Sequence, residues 1–205
     1  MVDGDPAVGP GEIAEAAAAI ENGDLVVMPT ETVFGLGARP DLPEAIARVF
    51  EAKQRPRILT LAILARDASQ AESVAVFDDR ARVLADRFWP GPVTMVLPRT
   101  ELSAAWDLGE ETATVGVRVP DHAVASALLA VTGPLAVTSA NRSGEPPPPD
   151  CDGVRATFGD AVAAYLCGGP APHGVASTIV DLSGPEPGIL RPGAVPSEDI
   201  LGALR

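Results

Sequence analysis

Hydrophobic and polar positions along the chain follow two periods and switch between them several times. Ile13, Ala16, Ala17 and Ile20 recur at helical spacing, and Gly23 follows as a stop. Residues 25–28 are apolar without a break, as a buried strand is. Pro43 opens a second helix with Ile46, Val49 and Phe50 on its inner face, ending near Lys53. Residues 59–64 read as a buried strand, and 79–88 as a helix with Val83, Leu84 and Phe88 turned inward. The turn WPGP at 89–92 leads into a strand over 93–97, and 98–113 reads as a charged loop. The stretch TVGVRV alternates strictly: Val115, Val117 and Val119 face one side, Thr114, Gly116 and Arg118 the other. Pro120 ends it, and Asp121 is placed to cap a helix over 122–131. Residues 134–138, 161–166, 176–182 and 188–191 are further strands, GEPPPPD at 144–150 is an extended surface loop, and a short helix follows Ser197.

Strands and helices thus alternate, with several connections long enough for crossovers. The pattern predicts an α/β fold, a twisted mixed sheet flanked by helices. One domain over 11–205 is expected after a flexible N-terminus, 1–10. Apolar residues make up 46% of the 205, enough for a sizeable core, but aromatics are 4%, so Ala, Val, Leu and Ile must fill it. No apolar run reaches the length of about 18 residues that a membrane span needs. No basic, then apolar, leader is visible. The two cysteines, Cys151 and Cys167, are too few for a disulfide framework or a Cys-based zinc site. They read as reduced thiols of a cytoplasmic protein. A net charge of −13 argues against broad coating of nucleic acid.

The chemistry is narrowed as much by what is missing. There is no GxxxxGK[ST] phosphate loop and no GxSxG nucleophile turn. The two histidines, His122 and His173, have no metal-ligand spacing. Polar clusters remain at predicted strand ends. PTET at 29–32 sets hydroxyls and a carboxylate after the first strand, before GLG turns the chain away. Lys53 and Arg55 face one way if that segment is extended, which suits an anion such as a triphosphate. Lys53 is also the single lysine among 15 basic residues. A site that stays lysine points to a need for a compact ammonium. Arg118, beside Gly116, suits a carboxylate or phosphate. Thr138, Ser139, Asn141 and Ser143 follow one strand, Ser177 and Thr178 open another, and Arg191 ends a third.

Taken in order, PTETVFGLG, KQRP, WPGPVT, VRVPDH, TSANRSG, STIVD and RPGAV resemble the YrdC-like family of L-threonylcarbamoyladenylate synthases, over roughly residues 12 to 200. The resemblance is to the short form, without an extra C-terminal domain. It implies a YrdC-like fold with a concave basic cavity. It also implies synthesis of threonylcarbamoyl-AMP from L-threonine, bicarbonate and ATP, with pyrophosphate released and Mg2+ accompanying ATP. The product would pass to tRNA threonylcarbamoyl-transfer proteins for modification of adenosine 37. Carried over, Lys53, Arg55, Ser139 and Asn141 form the catalytic group. Thr32, Arg118, Thr138, Ser139 and Ser177 take the threonine, and Arg55, Thr114, Asn141 and Arg191 the ATP. No protein side chain is expected to hold metal. Many relatives carry Asn-Pro-Leu and a later His where this chain has Leu59, Thr60, Leu61 and Leu64, and some carry a hydroxyl at Pro149. Two other readings stay open: an RNA- or tRNA-binding module of the same fold without synthesis, and a carbamoyl-transfer domain. The first would show a basic excess, which this chain lacks. On the synthase reading, replacing Lys53 by Ala should cut turnover far more than folding stability.

Overall fold

The computed structural model describes residues 8–168 and 174–205. The elements run α1 (Pro10–Glu21), β1 (Val26–Met28), β2 (Gly35–Ala38), α2 (Pro43–Lys53), β3 (Ala62–Leu64), α3 (Ala68–Val74), α4 (Asp79–Phe88), β4 (Val93–Pro98) and α5 (Glu101–Ala104). They continue with β5 (Thr114–Arg118), α6 (Ala123–Thr132), β6 (Leu135–Ser139), α7 (Cys151–Phe158), β7 (Ala164–Tyr165), β8 (Thr178–Asp181), β9 (Gly188–Arg191) and α8 (Ser197–Ala203). The strands form one mixed sheet in the order β7-β1-β2-β6-β3-β5-β4-β8-β9.

Alternation along the strands divides the apolar residues between two faces. Val27, Leu36, Ile63, Val117 and Ala136 point to one face, where α2, α3, α4, α7 and α8 close the larger core. Val26, Met28, Leu64 and Val137 point to the other, where they meet α1 and α6. Ile13, Ala16, Ala17 and Ile20 form the buried face of α1, as their spacing predicts. Among the described residues, α1 and α6 alone cover this second face, packing with residues of β1, β6 and β3. The uncovered remainder is where the candidate site lies.

Several local predictions are corrected. Gly35 and Gly37 do not turn the chain but sit inside β2. A Cβ on Gly35 would come 2.7 Å from a Val137 methyl, and one on Gly37 2.7 Å from the Met28 methyl. The glycines are there for the side chains that cross them. Val83 is 44% exposed, and α4 buries Ala81, Leu84 and Ala85 instead. His122, not Asp121, caps α6, its Nδ1 accepting from Val124 N at 3.3 Å. The charged loop over 98–113 contains the short helix α5, capped by Thr100. Helices α3 and α7 add to the predicted elements. Asp67 and Asp150 cap them by accepting from Gln70 N and Gly153 N, each at 2.8 Å. The expected strand at 59–64 shrinks to 62–64, leaving Leu59 45% exposed.

Cys151 and Cys167, read as free thiols, are joined in a disulfide with their Cα atoms 5.7 Å apart, within the ordinary range. The bridge ties the start of α7 to the chain just after β7. Most of the N-terminus expected to be flexible, residues 1–7, lies outside the described residues, as does His173. Gly9 and Pro10 are already part of the start of α1, where Gly9 N donates to Glu12 Oε2 at 2.9 Å. Among the described residues no helix is long and apolar enough to cross a membrane.

Candidate active site

The uncovered part of the second sheet face is a cavity of about 380 Å3. Gly35, Ala62, Thr94, Val137 and Ile179 form its floor, small or short side chains from successive strands. A larger hollow of about 610 Å3 lies beside α3, α4 and α6. Asp67, Asp86 and Asp121 line that hollow against Arg66, and it contains none of the predicted site residues. An acidic rim of this kind repels phosphate.

One wall of the cavity is the PTET turn between β1 and β2. Thr30 organises it: its hydroxyl donates to Val33 O at 2.6 Å and accepts from Thr32 N and Val33 N, each at 3.3 Å. The Thr30 and Thr32 hydroxyls lie 2.9 Å apart, and both line the cavity. This is the hydroxyl turn that Ser and Thr side chains make when they stand in for backbone partners. The turn also sets Glu31 against Arg118, Oε2 to Nη2 at 2.7 Å, with the two side chains 14% and 8% exposed. Burial, and Arg191 nearby, lower the pKa of Arg118, while Glu31 opposes the shift.

Arg191 and Ser177 line another part of the cavity. Arg191 donates to Ser177 O at 2.7 Å and to Ser177 Oγ at 3.1 Å, and Ser177 Oγ is 2.8 Å from Thr94 Oγ1. The turn after β9 folds back so closely that a Cβ on Gly193 would sit 2.4 Å from Ala176 O, so the Pro-Gly pair keeps Arg191 on Ser177. Arg55 completes this side, its Nε donating to Leu59 O at 2.7 Å. Burial first, then repulsion from Arg191, lowers the Arg55 pKa.

Lys53 does not line the cavity. It is the last residue of α2, 1% exposed. Its Nζ donates to Ser139 O and Asn141 O, both at 2.5 Å. Ser143 N donates back to Lys53 O at 2.9 Å, and Arg142 Nη1 donates to Ala52 O at 2.9 Å. The ammonium therefore clips the end of β6 to the end of α2 from beneath the cavity. Gln54, left-handed at φ 51°, ends the helix there, so Lys53 and Arg55 do not share an extended strand. Burial, and then Arg55, push the Lys53 ammonium down to about 8.

Asn141 lines the cavity, and its amide donates to Arg142 O at 2.8 Å and Glu145 O at 2.7 Å. Its Oδ1 is buried without a partner. The cavity thus brings together Thr32, Arg55, Arg118, Thr138, Ser139, Asn141, Ser177 and Arg191. Thr114 is not among them. It pairs with Pro98 at the far end of β5, four residues from Arg118, or roughly 13 Å along a strand. Thr94, Glu145 and Pro147 also line the cavity and were not picked out from sequence. Thr94 stands inside an apolar strand, and only its alternation with Val93 and Met95 distinguishes its face.

The Lys53 shift has a measurable consequence. A lysine pKa that is lower in the folded state means that the native protein releases this proton first. As pH rises from about 8 towards 10.5, the unfolded chain binds more protons and the Lys53 contribution to stability increases. Activity should move the other way, because a neutral amine holds the two carbonyls less firmly. The chain has one lysine and one tyrosine. Tyr165 is shifted upward, chiefly by burial, so it titrates above this window. Urea unfolding and steady-state rates measured between about pH 7.5 and 10 should therefore diverge in sign.

An α/β domain with a polar, arginine-walled cavity over the open face of its sheet has the build of a small-molecule-binding catalytic domain. The chain belongs to the Sua5/YciO/YrdC family: its model, described as "Telomere recombination", matches residues 18–193. A Mycobacterium tuberculosis protein is 44% identical over 193 residues, covering 94% of this chain and 88% of its own length. The threonylcarbamoyl-AMP synthase of Chromohalobacter salexigens is 41% identical over 176 residues, covering 85% of this chain and 94% of its own. Among solved structures, Pyrococcus abyssi Sua5 complexed with L-threonine superposes with a TM-score of 0.87 at 38% identity, covering 96% of this chain. The chain spans 58% of the length of that Sua5.

Proposed function

We propose that this protein is a threonylcarbamoyl-AMP synthase, joining L-threonine, bicarbonate and ATP and releasing pyrophosphate. The observation that carries the reading is that one cavity gathers two kinds of side chain: the alcohols Thr30 and Thr32 with Arg118, and the arginine pair Arg55 and Arg191. The first set suits a hydroxylated amino acid, with hydroxyl partners and a guanidinium for the carboxylate. The second suits a polyphosphate, because two guanidinium groups whose charges repel gain most from an anion between them. That the related P. abyssi Sua5 was solved in complex with L-threonine supports an amino-acid substrate.

The reaction follows from that arrangement. The threonine amine adds to CO2, supplied by bicarbonate, and gives a carbamate with loss of a proton. A carbamate oxygen attacks the α-phosphorus of ATP, the bond from that phosphorus to the bridging oxygen breaks, and pyrophosphate leaves. Carbamates decompose in water, so a recess that excludes solvent preserves the intermediate. Arg55 and Arg191 offset charge on the phosphates, and the protein's main contribution is positioning. Among the described residues no cluster of His, Cys, Asp or Glu could hold a metal on its own. Mg2+ would arrive on the triphosphate, where it would neutralise phosphate charge. Asn141 Oδ1, without a partner, and Glu145 are the cavity oxygens suited to its hydration shell. The product would pass to the proteins that transfer threonylcarbamoyl to tRNA.

The test is pyrophosphate release by the purified protein with ATP, Mg2+, bicarbonate and L-threonine, with each omitted in turn. Release should require all of the substrates. Release that persists without threonine would remove the reading.

A further inference from the structure

Glu31 has so far been only the partner of Arg118, yet its placement is unusual for a stabilising ion pair. It stands on the β1–β2 turn, while Arg118 ends β5, and β6 and β3 lie between those strands in the sheet. The pair therefore reaches across two strand ends, at the margin of the cavity. It is made on one leg only, Nη2 to Oε2 at 2.7 Å. Arg118 Nε and Glu31 Oε1 are both buried without partners. A donor and an acceptor stranded within one pair carry a cost that a purely structural pair avoids by using both legs.

The electrostatic setting gives the pair a purpose. Arg118 and Arg55 both feel the positive charge of Arg191. Without compensation, Arg118 would be a third cation in a phosphate-binding group. Glu31 cancels its charge locally, and because both side chains are nearly sealed from water the cancellation is poorly screened. We infer that Glu31 is a positioning and specificity residue: it reserves Arg118 for the amino-acid carboxylate and keeps it out of the triphosphate subsite. This rests on the proposed synthase reading. Glu31 acts through Arg118, which lines the cavity.

The inference predicts two changes of opposite sign for Glu31→Gln, an isosteric change that keeps an acceptor and removes the charge. The Kd for L-threonine, measured by calorimetry, should rise roughly tenfold or more, the scale of a misdirected charge-assisted contact. The Kd for inorganic tripolyphosphate, measured without threonine, should fall. A structural role would weaken both ligands together. Glu31→Asp keeps the charge on a shorter arm, so it should leave tripolyphosphate binding near that of the wild type. Loss of both affinities in Glu31→Gln, or no change in either, overturns the inference. A wild-type protein that binds both ligands but makes no threonine-dependent pyrophosphate would sink the synthase reading and leave this test intact.

Discussion

Lys53→Met is expected to lower stability by about 2–4 kcal/mol and turnover by roughly a hundredfold, although the ammonium lies outside the cavity. The change takes the donor from Ser139 O and Asn141 O, each held at 2.5 Å. A buried carbonyl left without a partner costs about 1–3 kcal/mol. Relief of a buried charge returns part of that, since burial already disfavours the ammonium. The turnover loss comes through geometry. Ser139 and Asn141 line the cavity, and displacing a positioning group by about 1 Å can cost ~100-fold in rate. Lys53→Arg should not rescue, because a planar fork does not fit where a compact ammonium reaches two carbonyls. Urea unfolding beside threonine-dependent pyrophosphate release checks both. If Lys53→Met lost turnover but kept its stability, the lysine would have to meet substrate directly, as the sequence alone leads one to expect.

That contrast shows what can be read from a chain. The lone lysine marked a position that requires ammonium, and the requirement is visible in the structure. The object it serves was hidden, because Ser139 and Asn141 offer backbone carbonyls, which carry no side-chain signature. The helical faces of α1 and α2 were legible because each buries a single apolar stripe against the sheet. Val83 misled for the opposite reason: α4 buries alanines beside Leu84, and a valine on its outer side looks like core. GLG read as a turn because a glycine's need for space resembles its freedom of backbone. Only the crossing of Met28 and Val137 separates the two. The threonines of PTET and the arginines at strand ends were found because they converge at strand termini, where ligands meet open α/β sheets. Thr114 was named from the resemblance alone. Alternation gives it the face of Arg118, while pairing with β4 sets it at the other end of β5.

Arg118→Leu should be among the most damaging single changes, and the damage should divide into a part that can be repaired and a part that cannot. Removing the guanidinium strands the Glu31 carboxylate, whose side chain is 14% exposed. Breaking one partner of a buried pair costs about 3–5 kcal/mol, mostly through the charge left behind. Adding Glu31→Gln removes that charge, so the double variant should recover well over half of the lost stability. The two changes should thus be strongly non-additive, as contacting residues are. Threonine use should not recover, since the carboxylate's partner is missing in both proteins. For L-threonine, kcat/KM should stay at least ~100-fold below wild type in the single and double variants alike. Tripolyphosphate affinity should fall in the single variant, where the Glu31 charge is no longer balanced, and return close to wild type in the double variant, where Arg55 and Arg191 remain and the pair is neutral again. Unfolding free energies of the four proteins in the cycle measure the first part, and kcat/KM with threonine varied measures the second. Recovery of both together would mean that Arg118 is only a structural ion-pair partner. Recovery of neither would mean that its contribution to stability lies in its packing on β5 and not in its charge.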